Sequence, residues 1–165
     1  MGAAVPVPRR NDEALDESLI EHVVGYLLAI SAVTVRECFH HSIGRPLDLR
    51  PVEFTLLMLL LGNPGAAPKQ LARALRMPAP NVTALLDRMV ARGYVLRQRS
   101  AADGRALEVR LTPEGDAVAR RAHGISLSME NGLLENFTPG ERVLLRELLL
   151  KLGRIGSPSA AAGAT

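Results

Sequence analysis

From Leu15 onward apolar residues return at three- and four-residue intervals: Leu15, Leu19, Val23, Leu27, Ile30 and Val33. This spacing lays an apolar stripe along one helix face and predicts one long helix over 12–41. Acids fill its first turns, where the positive end of the helix dipole favours them. Gly44-Arg45-Pro46 stops it. A second helix is predicted from Pro51, which suits a first-turn position, to the stop Gly62-Asn63-Pro64-Gly65. Its run Phe54 to Leu61, broken only by Thr55, reads as a buried helix and falls far short of the ~20 residues a bilayer span needs. Pro68 opens a third helix over 69–76. Met77-Pro78-Ala79-Pro80 prevents its continuation, because proline lacks an N–H and disfavours helix in the residue before it. A fourth helix is expected over 80–91, closing at Gly93, a good left-handed residue beyond a helix end.

Then the period changes. Residues 94–99 and 106–111 alternate, with Leu107, Val109 and Leu111 on one side and Glu108 and Arg110 on the other. The turn-rich link Ser100-Ala101-Ala102-Asp103-Gly104 makes them a β-hairpin. Thr112-Pro113-Glu114 restarts helix with a threonine cap and proline at the first helical position, and this helix is expected to reach about Glu135. Gly124 and Gly132 are its weak points. Thr138-Pro139-Gly140-Glu141 is a capping box that opens a last helix to Ile155. The ends, 2–11 and 156–165, read as disordered. No signal peptide, membrane segment or internal repeat is found, and a cytoplasmic location is expected.

Composition narrows the class. Hydrophobic residues make up 47% of 165, charged residues 22%, and mean hydropathy is +0.11, too apolar for a disordered chain and too charged for a membrane bundle. Aromatics reach only 3%, so the core must be aliphatic. The single cysteine, Cys38, allows no disulfide within the chain and fits a reducing interior. Net charge is only +3, but it is segregated. Residues 1–49 carry four bases against seven acids, a net of −3. Residues 69–110 carry nine bases against three acids, a net of +6, and all but Lys69 of those bases are arginine. Arginine keeps its charge at any working pH and forks onto phosphate or a guanine edge. A basic middle suggests an anionic polymer partner; a solvated charged surface is the plainer alternative.

Two short helices, a tight turn and a basic hairpin make a winged helix-turn-helix, so the expected fold is mostly α with a small β-hairpin wing (α+β). The helix over 80–91 would enter a major groove with Val82, Leu85, Leu86 and Met89 turned inward. Its outward face carries Asn81, Thr83, Ala84, Asp87 and Arg88. Pro80, Asn81, Thr83 and Ala84 are the expected base-reading positions. Lys69, Gln70, Arg88, Arg97 and Arg99 are expected DNA contacts, mostly to phosphate, and Arg105 at the wing tip would probe a minor groove. Asp87 and Asp103 would orient arginines.

These residues resemble the MarR-type regulators (multiple antibiotic resistance repressors) over roughly Asp48 to Gly115. The resemblance is most specific in Asp87-Arg88-Met89-Val90-Ala91-Arg92-Gly93-Tyr94-Val95, Arg97, Arg99, Asp103-Gly104-Arg105-Ala106 and Leu111-Thr112-Pro113-Glu114-Gly115. It implies a homodimer with interlocked terminal helices, a pseudo-palindromic operator, and release by a small ligand, often a phenolic or aromatic acid. The organisation it implies is a disordered start (1–11), an N-terminal dimerisation helix (12–47), the winged helix-turn-helix (48–112), C-terminal dimerisation helices (113–155) and a disordered tail (156–165). Ala84 stands where many members carry a polar or basic residue, Ala79-Pro80-Asn81 where Ser or Thr is commoner, and Arg76 where older helix-turn-helix turns favour glycine.

Dimerisation also follows from the last helix. Val143, Leu144, Leu145, Leu148, Leu149, Leu150, Leu152 and Ile155 make it apolar nearly all round, more than one intrachain contact covers. Folding back on its own domain is the alternative. His40, His41, Ser42 and Arg45 lie where the first helix meets the second, a position resembling the family's effector pocket; a simple polar helix end is the other reading. Glu37, Cys38, His40 and His41 cannot converge on one metal, since adjacent helical residues point about 100° apart. No metal and no cofactor is expected. Cys38 is a candidate redox switch or a small buried residue. No phosphate loop, nucleophile elbow or spaced ligand set marks an enzyme. A winged helix that binds only protein is the remaining alternative.

Overall fold

The computed structural model describes residues 15–99 and 107–154. The chain divides into two compact units, Met1–Thr34 and Val35–Thr165. In the first, residues 18–22 form turns and helix α1 (Val24–Phe39) begins. The unbroken helix expected over 12–41 is thus shortened at its start. The Asp16 carboxylate accepts the Ser18 N–H at 3.0 Å, a local bond that competes with the helical ladder.

In the second unit α1 ends and passes into a π-turn, His40–Gly44, and a single turn of helix, α2 (Arg45–Leu47), neither of which the sequence pattern predicts. Asp48 follows with φ 49°, a left-handed position that aspartate tolerates. Helices α3 (Pro51–Gly62), α4 (Pro68–Leu75) and α5 (Ala79–Ala91) come next, each with proline in its first turn. Strands β1 (Val95–Arg99) and β2 (Leu107–Leu111) pair antiparallel, Val95 opposite Leu111 and Arg99 opposite Leu107. Ala66, in the loop after α3, bridges Val109 and extends the base of this hairpin.

The core is aliphatic and centred on α3. Leu56, Leu57 and Leu60 are buried beside Ile43, Leu71, Val95, Val109, Ala119 and Ala122, and Phe39 and Phe54 meet edge to face. Val82, Leu85, Leu86 and Met89 bury the inward side of α5. Between α4 and α5, Arg76 takes φ 51° and its guanidinium donates to the Gly153 carbonyl. Helix α6 (Pro113–Ser126) starts at a built cap: Thr112 Oγ1 accepts the Gly115 N–H at 3.0 Å and donates to the Gly93 carbonyl at 2.6 Å. Helix α6 stops at Ser126, not near Glu135; residues 127–136 are turns. Gly124, Ser126, Ser128, Asn131 and Gly132 are weak helix formers, and together they end it early. Helix α7 (Pro139–Arg154) opens at the Thr138–Glu141 capping box, whose hydrogen bonds hold the Glu141 carboxyl below its ordinary range.

Gly115 explains the Leu-Thr-x-x-Gly pattern physically. A Cβ there would lie 1.9 Å from the Tyr94 carbonyl oxygen, so the start of α6 rests directly on the backbone leading into β1. Gly115→Ala is expected to destabilise the fold by ~2 kcal/mol or more, because only a backbone shift relieves the clash. Denaturant unfolding of the purified variant measures this; a midpoint equal to wild type refutes the close approach.

Candidate nucleic-acid interface

The outward face of α5 is exposed at Pro80, Asn81, Thr83, Ala84, Asp87 and Arg88. It stays outward because the opposite face is fully apolar and buried, which fixes the helix's rotation. Asn81 makes no side-chain hydrogen bond among the described residues, so its amide can donate and accept toward a base edge. Thr83 Oγ1 donates to the Ala79 carbonyl at 3.1 Å, leaving the hydroxyl oxygen as an acceptor. Ala84 offers a methyl group alone.

Helix α4 presents Lys69 and Gln70 in its exposed first turn. Gln70 is partly committed: its Oε1 accepts the Ala67 N–H at 2.8 Å and caps the helix. Its amide nitrogen remains, beside a helix N-terminus that favours an anion.

Arg97, expected to touch DNA, turns inward. Its Nη1 pairs with Asp87 Oδ1 at 2.8 Å and its Nη2 donates to the Thr83 carbonyl at 3.1 Å. Its Nε is buried without a hydrogen-bond partner among the described residues. The guanidinium therefore ties β1 to the middle of α5, and Asp87 is the carboxylate that holds it. Arg99 lies exposed at the end of β1. Arg105 and Asp103 fall outside the described residues.

Arg88 is half-exposed, with Nε 3.8 Å from Glu53 Oε1. Glu53 is the one buried charged residue among the described residues, at the third position of α3. Its Oε2 accepts the Arg50 N–H at 3.0 Å and Arg92 Nη1 at 3.3 Å, while Arg92 Nη2 reaches Asp48 at 3.1 Å. Sequence reasoning missed this cluster. The available signal was a lone carboxylate, Glu53, inside an otherwise apolar run directly after Pro51.

His40 and His41 meet edge to face and His41 Nδ1 lies 2.8 Å from the Glu37 carbonyl oxygen, with Ser42 and Arg45 on the same turn. None of the four borders the apolar cavity of about 620 Å³ that Val35, Leu133, Leu134, Arg142, Leu145, Arg146 and Leu149 help to line. The Cys38 thiol donates to the Met129 carbonyl at 3.0 Å. Among the described residues no group of three or more His, Cys, Asp or Glu could hold a metal, and no helix is long and apolar enough to cross a membrane.

The model of the MarR family matches residues 47–106, from the left-handed turn at Asp48 to the wing. The multiple antibiotic resistance protein MarR of Salmonella typhimurium is 31% identical over 110 residues, covering 65% of this chain and 75% of that protein. An HTH-type transcriptional repressor of Mycobacterium tuberculosis is 29% identical over 130 residues, covering 79% and 93%. The transcriptional repressor CouR, solved bound to a 23-mer DNA duplex, has a TM-score of 0.78 at 32% identity over 86% of this chain and 99% of that one. CouR bound to p-coumaroyl-CoA gives 0.75 at 30% over the same shares. With the braced wing, the buried-inward helix and these identities, the chain belongs to the MarR family, a family of transcriptional regulators and not of enzymes.

Proposed function

We propose that the protein is a homodimeric repressor that binds a pseudo-palindromic double-stranded DNA operator through α5 and the wing, and that a small ligand releases it. The observation that carries this reading is the exposed Asn81–Thr83–Ala84 face of α5, fixed to an arginine-bearing strand by Arg97 in the most basic stretch of the chain. CouR and its DNA duplex support it by similarity. In this reading Asn81 and Thr83 meet base edges, Lys69, Gln70, Arg88 and Arg99 hold phosphates, and Arg105 enters the minor groove. The exposed apolar side chains of α7, among them Val143, Leu144 and Leu148, support pairing, because a second copy would cover them. Two recognition helices roughly 34 Å apart would then meet one DNA face.

The ligand half of the reading rests on cations near apolar surface. His40, His41, Ser42 and Arg45 stay the proposed effector residues; Arg142 and Arg146 beside the apolar cavity are a second place where a carboxylate would find charge. CouR's complex with p-coumaroyl-CoA is a relative's example of a bulky acyl ligand. A ligand shifts DNA affinity only by binding the two conformations differently.

Footprinting of the purified chain on DNA upstream of its own coding sequence tests the central claim. A symmetric protected site and a dimer in sedimentation are expected; a monomer that ignores duplex at low salt overturns it. Lys69→Ala should weaken binding to all duplexes alike and lower the salt slope by about 1, whereas Asn81→Ala should cost ~1–3 kcal/mol on the operator alone. Gel-shift titrations over a salt series separate the two. Arg97→Lys should lower global stability by less than ~1 kcal/mol, since the pair is partly exposed, yet raise amide exchange across 95–99 and 107–111, because one ammonium cannot reproduce the fork onto Asp87 and Thr83. Unchanged exchange refutes the brace. Titration with substituted benzoates and cinnamates should lower operator affinity and raise the melting temperature; if none does either, the aromatic-acid ligand is wrong.

A further inference from the structure

Arg88 is a phosphate contact only if its guanidinium faces outward, and a half-exposed arginine at the last turn of a helix has many rotamers. The cluster at the start of α3 limits that freedom. Glu53 is buried, and its carboxylate is met from both sides: the Arg50 N–H and Arg92 Nη1 donate to Oε2, and Arg88 Nε stands 3.8 Å from Oε1, an ion-pair distance. Arg92 is itself fixed, reaching Asp48 with its other nitrogen and lying 4.9 Å from the Tyr94 ring centroid. Arg88 differs. Its Nε edge faces Glu53, while Nη1 and Nη2 have no partner among the described residues. A guanidinium held by one edge presents the other as a preset fork, the geometry that suits a phosphate.

We infer that Glu53 is a positioning residue for operator recognition, acting through Arg88: its buried charge turns the Arg88 fork outward to a phosphate flanking the bases that α5 reads. The inference rests on the DNA-binding reading above. Glu53 also withdraws positive charge from this face. Its carboxylate therefore favours the site where the fork fits and disfavours loose association with any duplex. A residue that served the fold alone would affect both kinds of binding equally.

Glu53→Gln tests this role, because glutamine keeps an oxygen for the Arg50 N–H and Arg92 Nη1 but puts an uncharged NH2 where Oε1 faces Arg88. The full-length protein is titrated with two probes, the duplex that wild type enriches from a random-sequence pool and bulk random-sequence duplex. For E53Q, affinity for the enriched duplex should fall about tenfold, while affinity for bulk duplex should hold or rise up to about threefold. Adding E53Q to R88A should change this ratio less than about twofold, since the pathway through Arg88 is already gone. Arg88→Lys, at a half-exposed position that the fold tolerates, keeps the charge but not the edge and should lose discrimination in the same way. A parallel fall on both probes, additivity with R88A, or R88K discriminating as wild type does would each overturn the inference while leaving DNA binding intact. Should wild type enrich no duplex at all, the DNA-binding reading falls and this inference falls with it.

Discussion

Everything outward on α5 depends on what is inward. Val82, Leu85, Leu86 and Met89 are excluded from water against α3, α4 and the hairpin base, and they leave the helix no freedom to roll. Removing one such leucine would cost ~2–5 kcal/mol, a large share of what a domain of this size has in reserve. That is more than any polar contact on the exposed face supplies. The apolar stripe therefore decides which residues are offered to a partner, and Asn81, Thr83 and Ala84 are offered because they are its geometric complement.

Rotation alone does not fix a reading head; the wing must keep its angle to the helix. Two constraints of different kinds achieve this. The first is steric: the absent Cβ at Gly115 lets α6 start against the Tyr94 carbonyl, and Thr112 closes the same corner by bonding Gly93. The second is ionic: Arg97 spans from β1 to Asp87 and the Thr83 carbonyl. A partly exposed ion pair contributes at most about 1 kcal/mol to stability, so its value lies in direction more than in strength. Glu53 obeys the opposite arithmetic. A carboxylate that deep costs ~3–5 kcal/mol if its partners are removed, so the fold holds Arg92 and Arg88 in place around it.

Local rules were readable from the sequence wherever proline, glycine and apolar period agreed. Pro51, Pro68 and Pro78–Pro80 bound α3, α4 and α5 within a residue or so, and the change of period at Tyr94 marks the hairpin. What failed was of two kinds. Apolar period extended α1 too far back and α6 too far forward, because the stripe continues through residues whose local bonding or poor propensity breaks the helix, as at Asp16–Ser18 and Gly124–Asn131. Pairings distant in sequence were invisible. Nothing local in Arg97 says that it folds onto Thr83, and nothing in Arg88 says that it meets Glu53, 35 positions away, since each looks like any other surface arginine. An arginine count alone does not show which guanidinium groups are already engaged: Arg88, Arg92, Arg97 and Arg110 all have carboxylate partners inside the chain.

The same distinction bears on how such a molecule could be switched. Helix α5 and the strands of the hairpin are tied together by directional contacts, Arg97 to Asp87 and the Thr83 carbonyl and Thr112 to the Gly93 carbonyl. Helix α7 is different: its leucines and Val143 are exposed in the single chain, and its tie to the helix-turn-helix includes one guanidinium, Arg76, donating to the Gly153 carbonyl. An apolar face with few directional bonds can be covered in more than one register at similar cost, whereas hydrogen-bonded corners such as Thr112–Gly93 have a single solution. In the proposed dimer, the spacing of two reading heads would follow from how these soft faces meet. A small molecule wedged beside Arg142 or the His40–Arg45 turn would then act on distance between heads and leave each head's own geometry untouched.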